Sequence, residues 1–227
     1  MNTNSREGWD RHWQAPATIK RLKKINIAYP EVIRVLLNLT DTDSQCLELG
    51  CGSGTYAIEL LANGRNCLAS DISEKSLALT KIKGKELYNL DIPTQLIDIY
   101  NIPYPDNTFD LVFSDGVVEH LEIKRALKEM KRILKPGGWA VTKVPSGSFL
   151  YKIVYHLLSP IENRPHEAWF SKKEWQRKFE DEAYQDVEAS CCGGILAGLA
   201  MRLPIINKFA KIIPSLGKIY FLIKARK

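Results

Sequence analysis

Residues 46–54 read CLELGCGSG and continue as TYAIELLANG over 55–64. A short apolar run ends at Leu49, glycines follow at 50, 52 and 54, and a helical pattern comes next. The run predicts a buried strand from Gln45 to Leu49. The segment Thr55 to Ala62 predicts a helix that stops at Asn63-Gly64. Glycines between a strand and a helix allow a tight turn and a close approach of backbone to a ligand. Turns of this kind hold nucleotides, and the neighbouring residues narrow the choice.

The dinucleotide fingerprint G-x-G-x-x-G would need glycine at position 55, where Thr55 stands, and the Gly-Lys-Ser/Thr of a P-loop is missing. The spacing therefore argues against NAD and against ATP hydrolysis. Glu48 sits two residues before the first glycine. A carboxylate there repels pyrophosphate and suits a cationic ligand. Asp71 ends the next apolar run, 21 residues after Gly50, where an acid accepts hydrogen bonds from ribose hydroxyls. The expected ligand bears ribose, lacks pyrophosphate and carries positive charge. The purely structural alternatives are that Glu48 caps backbone amides and that Asp71 caps the helix beginning near Ser73.

Working outward, residues 17–39 read as helical, ending in PEVIRVLLNL. Further strands are expected at Asn66 to Ser70, Thr94 to Ile97, Phe109 to Ser114 and Trp139 to Val144. Helices are expected at Ser73 to Lys83 and Lys124 to Leu134, the latter broken by Pro136-Gly137-Gly138. Alternating strands and helices predict a mainly parallel α/β sheet with right-handed crossovers and helices on both faces. Gly50, Asp71, Asp98 and Ser114 then all fall at carboxyl ends of strands, where such sheets bind ligands. Ser171-Lys-Lys-Glu174 matches a capping box and opens a helix to about Phe179. Asp186 to Ser190 and Ile219 to Lys224 complete the strands, with a helical insertion, broken at Pro204 and Pro214, over about 193–217.

Hydrophobic residues make up 45% and charged residues 26%, the balance of a folded domain. No apolar run reaches the roughly 18 residues of a membrane span, and MNTNSREGWDRHWQ lacks a signal-peptide core. The five cysteines are odd in number and show no CxxC spacing, so zinc and disulfides are not expected and a reducing cytoplasm fits. Cys46 and Cys67 lie in apolar runs and read as core. Net charge is +6, yet residues 189–227 hold seven of the 32 basic residues and no acid, leaving 25 bases against 26 acids in the body. Three uses of this basic segment stand open. It can cover a lipid- or glycan-linked acceptor at an anionic membrane surface, contact nucleic acid, or be an internal insertion with a solvated face. Lysines interleaved with aliphatic residues, few aromatics and a non-basic body argue against nucleic acid.

These residues resemble the class I S-adenosylmethionine (SAM)-dependent methyltransferases, and the type 11 group most closely. The family's first motif, E/D-x-G-x-G-x-G, is similar to Glu48-Leu-Gly50-Cys-Gly52-Ser-Gly54 at every required position. LIDIYNIPYPDNTFDLVFSDGVVEHL resembles the segment carrying the adenine contact and the fourth strand, and MKRILKPGGWAVTKVP the helix, turn and fifth strand that follow. The resemblance spans roughly residues 44–145. It implies a Rossmann-like doubly wound sheet of seven strands with the last reversed, and SAM as cofactor. It assigns Asp71 to ribose, Asp98 to the adenine amino group and Ile99 to the ring. Cys51, Ile72 and Ser114 complete the expected cofactor contacts beside Glu48, Gly50, Gly52 and Gly54. The resulting domain plan is a helical arm over 1–40 and a SAM-binding domain over 41–227.

Methyl transfer is an in-line displacement in which the enzyme aligns a nucleophile and excludes water; a hydroxyl acceptor gains from a general base. The candidates are His120, in VVEHL after the fourth strand, and His166, in RPHEAWF on the acceptor side; each can equally be structural or surface-lying. Glu119 reads as a solvated loop charge. The fourth strand continues as SDGV rather than NPPY, which lowers an adenine or glutamine amino acceptor. FLYKIVYHLLS at 149–159 is either an acceptor wall or core, and Trp9 and Trp13 either close over the cofactor or simply pack. No metal cluster is evident. The leading expectation is methylation of a small-molecule or lipid/glycan-linked acceptor at oxygen. An RNA or protein methyltransferase and a non-catalytic SAM-fold subunit are the alternatives.

Overall fold

The computed structural model describes residues 5–14, 28–148, 152, 167–194 and 218–227. In chain order these form α1 (Arg6–Gln14), α2 (Pro30–Asn38), β1 (Gln45–Leu49), α3 (Thr55–Ala62), β2 (Asn66–Asp71), α4 (Glu74–Tyr88), β3 (Thr94–Leu96), β4 (Phe109–Asp115), α5 (Ile123–Ile133), β5 (Leu134–Pro145), α6 (Lys172–Glu180), β6 (Gln185–Gly194) and β7 (Lys218–Arg226). The strands make one sheet in the order β3-β2-β1-β4-β5-β7-β6. The first five strands run parallel, and β7 is antiparallel to both β5 and β6. The seven-stranded sheet with a reversed last strand is therefore present. Strand order reverses at β1, with β2 on one side and β4 on the other, so a crevice opens at the carboxyl ends of β1 and β4.

Successive residues of a strand face opposite sides, and the sheet separates two cores accordingly. Leu47, Leu49 and Val112 pack with Ala126, Leu127, Met130 and Ile133 of α5 and with Trp175 and Phe179 of α6. Cys46, Cys67, Leu111 and Phe113 pack on the other side with Val32 and Leu36 of α2 and Tyr56, Ala57 and Ile58 of α3. Pro30 opens α2 at its first turn, where its missing N–H costs nothing. The expected helix from residue 17 is described only from Pro30 onward; residues 17–27 lie outside the described residues.

Several boundaries differ from expectation, each for a local reason. Helix α4 continues past Lys83 to Tyr88. Gly84 is needed there because a Cβ would lie 2.3 Å from Ile92 Cγ1. The true stop is Asn89 in the left-handed region (φ 53°), with Leu90 N donating to the Gly84 carbonyl at 3.1 Å. β5 starts at Leu134 rather than Trp139, and Pro136-Gly137-Gly138 lies within the strand at a register irregularity opposite Phe109–Leu111. β6 extends to Gly194, so residues 193–194 are strand. The rest of the expected insertion, 195–217, lies outside the described residues, as does 149–159 except for Lys152. The capping box forms as expected. Ser171 Oγ accepts Glu174 N at 3.3 Å, and Glu174 Oε2 accepts Ser171 N at 2.7 Å. It starts α6, which buries Trp175 and Phe179 completely, worth roughly 2–3 kcal/mol each.

Candidate cofactor site

The glycine turn is held from below by one face of α4. Ser76, Thr80 and Lys83 recur at helical spacing, so their side chains line up beneath the loop. Gly52 O accepts from Ser76 Oγ at 2.7 Å and from Thr80 Oγ1 at 3.0 Å. Lys83 Nζ, fully buried, donates to Ser53 Oγ and Thr55 Oγ1, each at 3.1 Å. Burial depresses the Lys83 pKa to about 8, with Glu48 pulling the other way. From the side, Cys51 N donates to Ser70 O at 2.8 Å. Gly52 and Gly54 both adopt positive φ (56° and 70°), a conformation open to glycine without strain.

A cavity of about 420 Å³ opens over this turn, within the size range of small-ligand sites. Four carboxylates line it, Glu48, Asp71, Asp98 and Asp115, and among the described wall residues there is no lysine or arginine. Glu48 Oε2 accepts Ala57 N at 2.8 Å, capping α3, whose own N-cap, Gly54, has no side chain to do so. Burial pushes the Glu48 carboxyl up to about 8, against the Ala57 N–H. Asp71 accepts Gly52 N on Oδ2 and Ser73 N on Oδ1, each at 2.9 Å. Burial also raises its pKa, opposed by those same N–H groups. Both acids thus make the expected capping bonds, and both line the cavity. Glu48 holds helix α3 with one lone pair, Asp71 holds Gly52 and Ser73 with one on each oxygen, and both keep further lone pairs.

Helix α1 lies against the open side. Asp10 Oδ1 accepts from Ser73 Oγ at 2.5 Å, and Arg6 pairs with Glu74 at 2.6 Å. Trp9 and Trp13 thereby become cavity walls. Trp9 meets the His120 ring edge-on at 5.5 Å, and a Cβ on Gly52 would lie 2.8 Å from the Trp13 ring.

The structure brings Glu48, Gly50, Cys51, Gly52, Asp71, Ile72, Asp98, Ile99 and His120 to this one cavity. Two expected contacts are placed elsewhere. Gly54 faces Thr80, where a Cβ would lie 2.3 Å from Thr80 Cγ2. Ser114 is fully buried in β4 on the face opposite Asp115, because the pleat turns neighbours to opposite sides; Asp115 and Gly116 form the wall instead. His166 lies outside the described residues. Glu119 corrects the expectation of a solvated charge. It is 4% exposed, within a 3₁₀ turn (Val118–His120), and burial raises its pKa well above the usual carboxyl. Its backbone carbonyl accepts Ala168 N at 2.8 Å, so the segment before α6 covers it. All five cysteines are free, with Cys46 and Cys67 buried as core. Among the described residues no group of three or more His, Cys, Asp or Glu can hold a metal. Lys83 and Asp115 were missed. Ser76, Thr80 and Lys83 at helical spacing were the available signal for the first.

A family model described as a methyltransferase domain matches residues 47–142. The chain is 34% identical over 122 residues to an uncharacterized protein of Methanocaldococcus jannaschii, covering 54% of this chain and 51% of that protein. It is 27% identical over 173 residues to a demethylmenaquinone methyltransferase of Corynebacterium urealyticum, covering 66% and 72%. The chain spans about half the length of the curated relatives it matches first. Among solved structures, phosphoethanolamine N-methyltransferase 2 of Haemonchus contortus in complex with SAM superposes with a TM-score of 0.71 at 15% identity, over 98% of this chain and 59% of that one.

Proposed function

We propose that the chain is a class I SAM-dependent methyltransferase of the type 11 group, as the match of residues 47–142 to a methyltransferase domain supports, and that it methylates a small-molecule acceptor with SAM held in the cavity over CLELGCGSG. The carrying observation is the charge of that cavity: four carboxylates and, among the described wall residues, no lysine or arginine. That wall disfavours a pyrophosphate and favours a ligand with positive charges. When bound, SAM supplies a methyl group on a sulfonium, with a neutral thioether as leaving group. Asp71 is the ribose acceptor in this reading, Asp98 and Ile99 flank the base, and Glu48 supports the cationic end. Trp9 and Trp13 exclude water from the cavity, which sharpens every charge interaction inside it.

Demethylmenaquinone methyltransferases among the relatives favour a small acceptor of apolar character. The acid-free basic segment 189–227 favours one presented at an anionic lipid surface, with the enzyme cytoplasmic and peripheral. Among the described residues no helix is long and apolar enough to cross a membrane. Methylation at oxygen requires a proton acceptor, and His120, the histidine in the described cavity wall, takes that role. Calorimetric titration with SAM, SAH and NAD, repeated on Asp71→Ala, tests the cofactor reading. Micromolar SAH binding, no NAD binding and loss in the variant are expected. NAD binding without SAH binding overturns it. Transfer of labelled methyl to hydroxyl acceptors, lost in His120→Asn with SAH affinity kept, tests the base.

A further inference from the structure

The helices on the two faces of the sheet carry very different charge. On one face α5 and α6 together hold nine bases against three acids. On the other, α2, α3 and α4 hold five bases against four acids, and one of those bases is the buried Lys83. Six of the nine cations, Lys124, Arg125, Lys128, Lys172, Lys173 and Arg177, are exposed. Two of the three acids are already engaged: Glu129 pairs with Arg132 at 2.7 Å, and Glu174 accepts Ser171 N in the capping box. The near-neutral body therefore conceals one strongly cationic face.

This face reaches the end of the sheet that holds the cavity. β4 and β5 run parallel, so both end there. Leu121 of the cavity wall comes just before α5, and the Arg125 guanidinium lies 4.5 Å from the ring of Tyr100, another wall residue. After β5, Gly147 packs on the residue that precedes the α6 cap: a Cβ there would lie 3.1 Å from Phe170 O. The first turns of both helices, with Lys124 and Arg125 on one and Lys172 and Lys173 on the other, are thus at the cavity end. Trp169 and Phe170, just before α6, are half-buried, with Lys152 Nζ 5.6 Å from the Trp169 ring and Lys178 Nζ 4.0 Å from the Phe170 ring. Half-buried aromatic rings beside lysines are the side chains that settle at a lipid headgroup boundary. Gly194 closes β6 and its register partner Lys218 opens β7 at this end too, so the basic segment between them is tethered here. The carboxylates of the cavity wall repel an anionic bilayer, whereas each lysine or arginine within a Debye length of about 8 Å is attracted to it. Nucleic acid asks for stacking surfaces among the cations, and the aromatic residues of α6, Trp175 and Phe179, are buried.

We propose that the first turns of α5 and α6 form a docking face for an anionic phospholipid bilayer, laying this flank on the headgroups so that a lipid-borne acceptor reaches the cavity from the side. The proposal rests on the reading of an acceptor presented at a lipid surface. The test is sedimentation of the full chain with vesicles of phosphatidylcholine alone and of equal parts phosphatidylcholine and phosphatidylglycerol. The wild-type chain should sediment with the mixed vesicles and not with phosphatidylcholine alone. Lys124→Gln/Lys172→Gln takes one exposed cation from each helix and should lower the partition coefficient roughly 30-fold, at about fivefold per lysine. Lys81→Gln/Lys85→Gln removes the same charge from α4 on the opposite face and should lower it less than about threefold. These lysines are exposed, so both variants should keep the parent's denaturation midpoint. Equal losses in the two variants, no loss in the first, or equal sedimentation of the wild-type chain with both vesicle types overturns the docking face and leaves the lipid-surface reading in place. A wild-type chain that sediments with neither vesicle overturns that reading, and the docking face with it. Loss of oligonucleotide binding in Lys124→Gln/Lys172→Gln with vesicle binding kept assigns the face to nucleic acid and overturns the proposal.

Discussion

Replacing Glu48 by glutamine removes a buried ionisable carboxyl from the site and keeps its shape. The amide oxygen of Gln can still accept Ala57 N, which Glu48 Oε2 accepts at 2.8 Å. In the folded chain burial holds the Glu48 carboxyl at about 8, against an ordinary value of 4.5, with Asp115 and Asp71 adding to the shift and Lys83 opposing it. The sign follows directly. The folded state binds this proton more tightly than the unfolded state, so Glu48 does no harm below about pH 4.5 and lowers stability progressively as the pH rises to about 8. At about 1.4 kcal/mol per pH unit the penalty near pH 7 is about 3 kcal/mol. Glu48→Gln should therefore match the parent within about 1 kcal/mol near pH 5 and exceed it by about 3 kcal/mol near pH 7. Urea denaturation at the two pH values measures both differences. The same variant should lose more affinity for SAM, with its sulfonium, than for SAH, with its neutral thioether. A variant less stable than the parent at both pH values, or equally weakened toward both ligands, would refute the reasoning.

Three further outcomes are expected. Gly54→Ala should cost about 2–4 kcal/mol, because φ is 70° and its Cβ would lie 2.3 Å from Thr80 Cγ2; adding Thr80→Ser should recover part of this in chemical denaturation. Ser171→Ala removes half of the capping box and should cost about 1 kcal/mol, read as a lowered denaturation midpoint with an unchanged slope. SAH should change the intrinsic fluorescence, since Trp9 and Trp13 line the cavity, and the change should vanish in Trp9→Phe/Trp13→Phe; a full signal in that variant would place α1 away from the ligand.

The glycine turn, its flanking acids and the alternation of strands and helices were legible because they are local. The turn and its acids lie within one strand-turn-helix-strand stretch, Gln45 to Asp71, and each strand or helix is written in its own run of residues. The boundaries of β5 and α4 were less legible. Pro136-Gly137-Gly138 looks like a break in isolation, yet pairing with β4 keeps it in the strand. Gly84 looks like a stop, yet Ile92 requires a residue without a Cβ at that point in the helix.

What the sequence by itself determined is the kind of ligand. Thr55 in place of a glycine, with Glu48 and Asp71 at strand ends, turns the site from pyrophosphate toward a cationic nucleoside before any coordinate is known. What only the tertiary structure decided is which charges share a dielectric environment. Glu119 follows β4 in a polar stretch, yet the segment at Ala168 covers it. Lys83 is one lysine among several on its helix until the fold buries it beneath Ser53 and Thr55. Asp115 and Lys143 are 28 residues apart and become partners through the register of β4 on β5. A charge acquires its function from burial and from the partner brought within a few ångströms, and both are properties of packing rather than of order along the chain.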